Sequence, residues 1–211
     1  MNIIYEDDDL LVADKPSGVY VHAAPGHESG SLAEEFVKHC PQAASVGSVS
    51  RPGVVHRLDA DTTGVIVFAK TQSAYLALRK QFESHKDIQK TYLAVCHGAP
   101  KPPAGTVDAP VGRERLRAIS HYNTLARSGS LALVRFDIET GRQHQIRIHA
   151  KSLGHPIAGD KLYGDSAADR RLRRKPARTL LHAVELSFIH PATQKRVTFS
   201  APPPADIVYA M

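Results

Sequence analysis

The sequence predicts an α+β fold with a largely antiparallel mixed sheet flanked by a few helices, and three features predict it. Strand-like runs outnumber helical stripes along the 211 residues. Two pairs of those runs flank short turns, as hairpins do. The elements do not alternate strand and helix, which argues against a doubly wound parallel sheet. A chain of this length, 42% hydrophobic, can bury a proper core, and it reads as one domain over residues 1–211.

Ile3–Tyr5 and Leu10–Ala13 are short strands around an acidic turn. Lys15–Gly18 is a loop, followed by Val19–His22. Ser31, with Glu34 three residues on, forms a capping box for a helix to about His39, with Leu32 and Phe36 on one face. Residues 43–52 are small and polar and read as loop. Val65–Ala69 is a continuous apolar run, a strand buried on both faces. Thr71 caps a helix through about Ser84, with Tyr75, Leu78 and Phe82 as its core stripe. Thr91–Cys96 is the next strand, and residues 100–104 are a Pro-rich connector. The runs at residues 121–125 and 131–138 flank a hairpin turn, and those at 179–189 and 196–200 flank another. Pro202–Pro204 is expected to end regular structure.

Composition narrows the function classes. No stretch approaches the roughly 18 apolar residues of a membrane span, and the first residues are acidic where a signal peptide is basic. Two distant cysteines fit free thiols in a reducing cytoplasm. Residues 1–100 carry 9 Lys/Arg against 12 Asp/Glu, a balance of −3, whereas residues 101–211 carry 18 against 9, a balance of +9. So basic a half suggests a polyanionic partner; a solubilising surface is the plainer alternative. Trp is absent, so any stacking on bases falls to Tyr, Phe or His.

Three segments carry candidate chemistry. The first, His56-Arg57-Leu58-Asp59 through Thr62-Thr63-Gly64, precedes the buried strand. An acid between apolar segments is paired or functional; a carboxylate capping its own turn is the alternative. The second is Gly141-Arg142-Gln143-His144-Gln145-Ile146-Arg147-Ile148-His149. Ile146, Ala150 and Leu153 predict one face of a helix that begins near residues 142–144, with Arg142, His144 and Arg147 in its first turns as an anion site. Alternation of Ile146 and Ile148 leaves a strand open. The third is Arg170-Arg171-Leu172-Arg173-Arg174-Lys175 with Arg178, six basic residues in nine. It is either a phosphate-binding run or a solvated loop. His144 and His149 lie five apart, not the four or so that aligns metal ligands on a helix face, so no metal site is expected.

Taken in order, these segments resemble the RluA-type RNA pseudouridine synthases from about Ile3 to Pro202. The matching motifs are His56–Asp59 with Thr62-Thr63-Gly64, Lys90-Thr91-Tyr92, Gly141–His149, Gly154–Tyr163, and Leu181-His182-Ala183 with His190-Pro191. Thr63 stands where Ser is usual, and residues 112–122 form a shorter stretch than in many relatives. The amino-terminal RNA-binding module of some relatives is expected to be absent. The resemblance implies a catalytic domain that isomerises uridine in structured rRNA or tRNA, by base flipping and without a cofactor. It implies Asp59 as the catalytic carboxylate, Arg147 as the arginine that pairs with it, and Tyr92 as the ring stacked on the target base. Arg57 would fill the gap left by the flipped nucleotide. His56, Arg142, His144, Arg170, Arg171, Arg173 and Arg174 are the further expected RNA contacts. A cytoplasmic monomer with no obligatory protein partner is expected. The rival readings are a non-catalytic RNA-binding protein of this fold and a hydrolase of nucleosides using Asp59 and histidines.

Overall fold

A computed structural model describes all of residues 1–211. The architecture is α+β and its ladders are antiparallel within each part described below, as the sequence predicts. The chain divides into two compact units, Met1–Gln89 with Glu185–Ala201, and Lys90–Val184 with Pro202–Met211.

In the first unit, β1 (Asn2–Glu6) pairs with β2 (Leu10–Lys15), and β2 pairs with β5 (Thr63–Ala69). Every residue of β5 is buried, which is why its apolar run does not alternate. Helix α1 (Leu32–His39) starts where Ser31 Oγ accepts the Glu34 N–H at 3.3 Å. The Glu34 carboxylate reaches back to the Gly30 N–H at 3.0 Å, one residue earlier than the usual box. Phe36 of this helix stacks on Phe68, with ring centroids 4.8 Å apart. Residues 41–45 form a single 3₁₀ turn before a miniature hairpin, β3 (Gly47–Ser48) and β4 (Arg51–Pro52), so the expected loop has short structure of its own. Residues 19–22 join no ladder; the Tyr20 and Val21 carbonyls instead accept the Leu32 and Ala33 N–H groups.

Helix α2 (Gln72–Ser84) is capped by Thr71, whose Oγ1 accepts the Ala74 N–H. Its buried face is Ala74 and Leu78, with Tyr75 and Phe82 half-buried. The expected stripe is therefore rotated toward Ala74, and the Phe82 ring serves His56 instead. The unit closes with β11 (Arg196–Ser200) paired to Glu185–Ile189 of β10 (Leu181–Ile189).

In the second unit, β6 (Gln89–His97), β9 (Leu131–Ile138), β8 (Ile119–Ser128) and β7 (Ala104–Asp108) pair in that order. A two-residue turn at Gly129-Ser130 joins β8 to β9, with Gly129 at φ 58° as such turns require. β7 extends the connector expected at 100–104 into an edge strand. Helix α3 (Gln145–Ser152) lays Ile146 and Ala150 into a core with Phe136, Val134, Ala94 and Ile157. Two further helices go beyond the sequence reading. α4 (Ser166–Arg171) is capped by Asp165, which accepts the Ala167 and Ala168 N–H groups. α5 (Ala205–Val208) follows Pro204 directly, so the proline run does not end regular structure. Ile207 of α5 is buried in the same core, which explains why one turn persists there.

Candidate active site

Asp59 sits in a turn with a buried brace. Its main-chain carbonyl accepts the Thr62 N–H at 3.1 Å, so the backbone itself closes the turn. Beneath lies Lys15, 0% exposed, whose Nζ donates to the carbonyls of Pro16 at 2.8 Å, Ala60 at 2.7 Å and Thr62 at 2.9 Å. Gly18 N–H also binds the Ala60 carbonyl. Three donors on one ammonium gather the Pro16 carbonyl and two carbonyls of the turn, so Ala60 and Thr62, downstream of the carboxylate, are held in place. Asp59 itself is half-buried. Lys15 is the residue the sequence reading missed: it looks like the first residue of a Lys-Pro-Ser-Gly loop, whereas it ends β2 and is completely buried.

Upstream in the same segment, His56 is used internally. Its Nε2 accepts the Val67 N–H of β5 at 3.1 Å, and its ring stacks on Phe82 at 4.4 Å, nearly parallel. That ring anchors the segment to strand and helix. Arg57 is exposed and lines a cavity of about 280 Å³ with Tyr20, His22 and Arg51. The pKa of His22 is lowered there, by burial first and then by the charges of Arg51 and Arg57.

In the second unit, α3 explains its motif residue by residue. Gln145 Oε1 accepts from Thr140 Oγ1 at 2.7 Å and from the Arg142 N–H at 3.1 Å, while its Nε2 donates to the Ile119 carbonyl and Ser120 Oγ. His149 bridges Ser120 Oγ and the Ala109 carbonyl, each at 2.9 Å. Gln145 and His149 thus pin the helix to β8, and a buried polar network satisfied on all sides fixes one orientation. The helix begins at Gln145, later than expected. Arg142 precedes it, and His144 is its cap in a left-handed conformation, φ 56°. The alternating strand reading of Ile146 and Ile148 is overturned by the same helix. Arg142 Nε donates to the Arg117 carbonyl.

Arg147 is 7% exposed and forms a fork with Asp160, Nε to Oδ2 at 2.7 Å and Nη2 to Oδ1 at 2.8 Å. Asp160 also accepts the Leu162 and Tyr163 N–H groups. Burial alone would raise its pKa, but Arg147 and these N–H groups hold it below the ordinary carboxylate value. Tyr163 lies under the guanidinium, 5.2 Å from its ring centroid, and its hydroxyl is 3.1 Å from His144 Nδ1. Asp160 and Tyr163 were legible as part of the Gly154–Tyr163 motif, but without a role of their own. Tyr92 is half-buried on β6, opposite Phe136 of β9. Two residues before it, Lys90 is buried and donates to the Glu139 and Thr140 carbonyls. Burial, and then the charge of Arg142, lower its pKa to about 8.

The basic run divides. Arg170, Arg171, Arg173, Arg174 and Lys175 are exposed. Arg178 is 6% exposed and forks onto Asp206 of α5 at 2.7 and 2.8 Å, so it belongs to the core and not to the run. Glu6, His39 and Cys40 bring three potential ligand atoms within 4.8 Å of one another, but Lys70 already binds Glu6 at 2.7 Å and holds its pKa at about 2, with help from His39.

Both the sequence and the fold are similar to those of known proteins. The family model for RNA pseudouridylate synthase covers residues 9–152. An uncharacterised RNA pseudouridine synthase of Synechocystis is 40% identical over 97% of this chain and 66% of its own length. Ribosomal large subunit pseudouridine synthase D of Zymomonas mobilis is 39% identical over 98% of this chain and 70% of its own. Among solved structures, human RNA pseudouridylate synthase domain containing 4 superposes with a TM-score of 0.75 at 26% identity, covering 99% of this chain and 91% of that one. The chain belongs to the RNA pseudouridine synthase family, a family of isomerases. It spans about two thirds of the length of the curated relatives it matches. No helix is long and apolar enough to cross a membrane.

Proposed function

We propose that this chain converts uridine to pseudouridine in structured RNA, with Asp59 as the catalytic carboxylate. The observation that carries the reading is the Lys15 brace, which holds the turn of Asp59 in one shape from beneath. A fixed carboxylate is what the reaction needs, since the attacking group must meet the sugar in a defined geometry. The bond from the anomeric carbon to uracil N1 breaks, the base turns, and a bond to C5 forms. The proton on C5 is lost and N1 gains one, so atoms balance without oxidant, water or cofactor. A carboxylate enters this sequence either by attacking the anomeric carbon or by removing a sugar proton.

Tyr92 is proposed to stack on the target base and Arg147 to orient the catalytic carboxylate. A base within a helix hides its glycosidic bond, so flipping is part of the proposal, with the exposed Arg57 filling the gap. Arg142, His144 and the exposed Arg170, Arg171, Arg173 and Arg174 are proposed as RNA contacts. Two relatives are named for the ribosomal large subunit, so large-subunit rRNA is the first substrate to test, ahead of tRNA. The site is proposed to act in the cytoplasm as a monomer. Pseudouridine mapping of total RNA from cells with and without the gene tests the reading. Loss of one or more pseudouridines is expected, and an unchanged map would refute it.

A further inference from the structure

The second unit contains a groove of about 810 Å³ that none of the motif residues lines. Its walls are the Ser128–Leu131 turn, the basic run from Arg171 to Lys175, and α5 with Tyr209 just after it. Arg171, Arg173, Arg174 and Lys175 are all exposed there. The acids nearby are committed elsewhere. Asp206, which lines the groove, is forked by the buried Arg178. Asp169 binds His97 and the Gly159 N–H, and Asp165 caps α4. Four cations therefore line one opening whose lining carboxylate, Asp206, is paired with Arg178, while the charge of Asp165 acts on Arg171; the remaining cationic density calls for an anionic ligand.

The groove also contains an aromatic surface. Tyr209 is 71% exposed, and the Arg174 guanidinium lies 5.7 Å from its ring centroid. The residue is largely open to solvent, in a chain without Trp. Cations beside an exposed ring suit an unpaired nucleotide, whose base stacks while its phosphates meet the charges. A duplex offers phosphates but no free base face. The volume lies within the roughly 300–1,000 Å³ of sites that enclose small ligands, so a nucleotide fits.

The groove is remote from the residue proposed to meet the reacting base. Leu131 lines the groove and pairs with His97, whereas Phe136 pairs with Tyr92. Five residues along β9, at about 3.4 Å each, separate the two levels by roughly 17 Å. We propose that this groove is a second RNA-binding site that takes an unpaired nucleotide of the substrate RNA, its base on Tyr209 and its phosphates on Arg173 and Arg174. The proposal rests on the reading of the chain as an RNA enzyme and adds which feature of the RNA it grips.

Fluorescence anisotropy with a labelled single-stranded RNA decamer and a duplex of equal length tests it. Tyr209→Ala should raise the Kd for the single strand about tenfold, within the usual range for losing one base stack, and hardly alter duplex binding. Tyr209→Phe should restore wild-type affinity. Arg173→Ala with Arg174→Ala should shallow the salt dependence of single-strand binding by about 1.4 in log–log slope, roughly 0.7 for each phosphate contact. Unchanged single-strand binding by Tyr209→Ala, or equal weakening on the duplex, would overturn the stacking site. An unchanged salt slope would overturn the phosphate contacts. The readout is binding, so it separates from catalysis: a blank pseudouridine map with an affected Tyr209→Ala leaves the groove standing, and a positive map with a silent Tyr209→Ala removes the groove alone.

Discussion

Each unit buries cations, and Lys15 of the first and Arg147 of the second are held in different ways. Lys15 gathers three main-chain carbonyls around a point charge, whereas Arg147 presents a planar fork to one carboxylate. The ammonium imposes shape on its surroundings, because the carbonyls must converge on it. The guanidinium is itself oriented, because the fork accepts only one plane. Lys15 thus shapes the turn that carries Asp59, and Asp160 sets the direction of Arg147.

The largest effect should come from breaking the fork. Asp160→Ala removes the forked partner of the buried Arg147 and should lower stability by about 3–5 kcal/mol, measured by urea unfolding. A loss under about 1 kcal/mol would mean that solvent or another group replaces Asp160 at no cost. Lys15→Met is expected to cost less, about 1–3 kcal/mol, because carbonyls stranded without a donor are neutral. Its turnover should fall while RNA affinity persists, as the damage is to the turn of Asp59. Unaltered turnover would show that the brace is not needed. Arg147→Lys keeps the charge but not the fork, and its single-turnover rate should fall at least about tenfold, roughly 1.4 kcal/mol. A near-normal rate would reduce Arg147 to a structural cation.

Lys90 offers the mildest test, confined to alkaline pH. Its folded pKa lies near 8, below the ordinary 10.5. Between those values the unfolded chain holds a proton that the folded chain has released, so stability should rise with pH across that window. The slope is at most about 1.4 kcal/mol per pH unit. Urea unfolding of wild type and Lys90→Met from pH 7 to pH 10 should give curves that diverge in favour of wild type as pH increases. Parallel curves would place the Lys90 pKa near its unfolded value.

Where a local signal and the tertiary demand coincide, the sequence was readable. Ser31, Thr71 and the β5 run carry their own caps and hydrophobic pattern, and the helices and strand lie where those signals point. β7 was obscured because it is an edge strand beginning beside prolines. Its Gly105 packs under the Tyr122 ring, too close for a side chain, so the contact that secures it is long-range. α4 and α5 are each too short to show a period, and α5 exists because Ile207 plugs the core and Asp206 clamps Arg178. The site divides the same way. Asp59, Tyr92 and Arg147 were marked by motif, but the roles of Lys15 and Asp160 depend on partners far along the chain or on burial. Arg178 shows the limit from the other side: within a run of cations, only its fold partner distinguishes the buried member from the exposed ones.

The most direct test of the central claim is Asp59→Asn, assayed for single-turnover pseudouridine formation and for RNA binding on the same preparation. The amide is nearly isosteric with the carboxylate but can neither attack the anomeric carbon nor remove a sugar proton. Isomerisation abolished with RNA affinity largely retained is the predicted result. Appreciable turnover by the purified variant would contradict the assignment of Asp59.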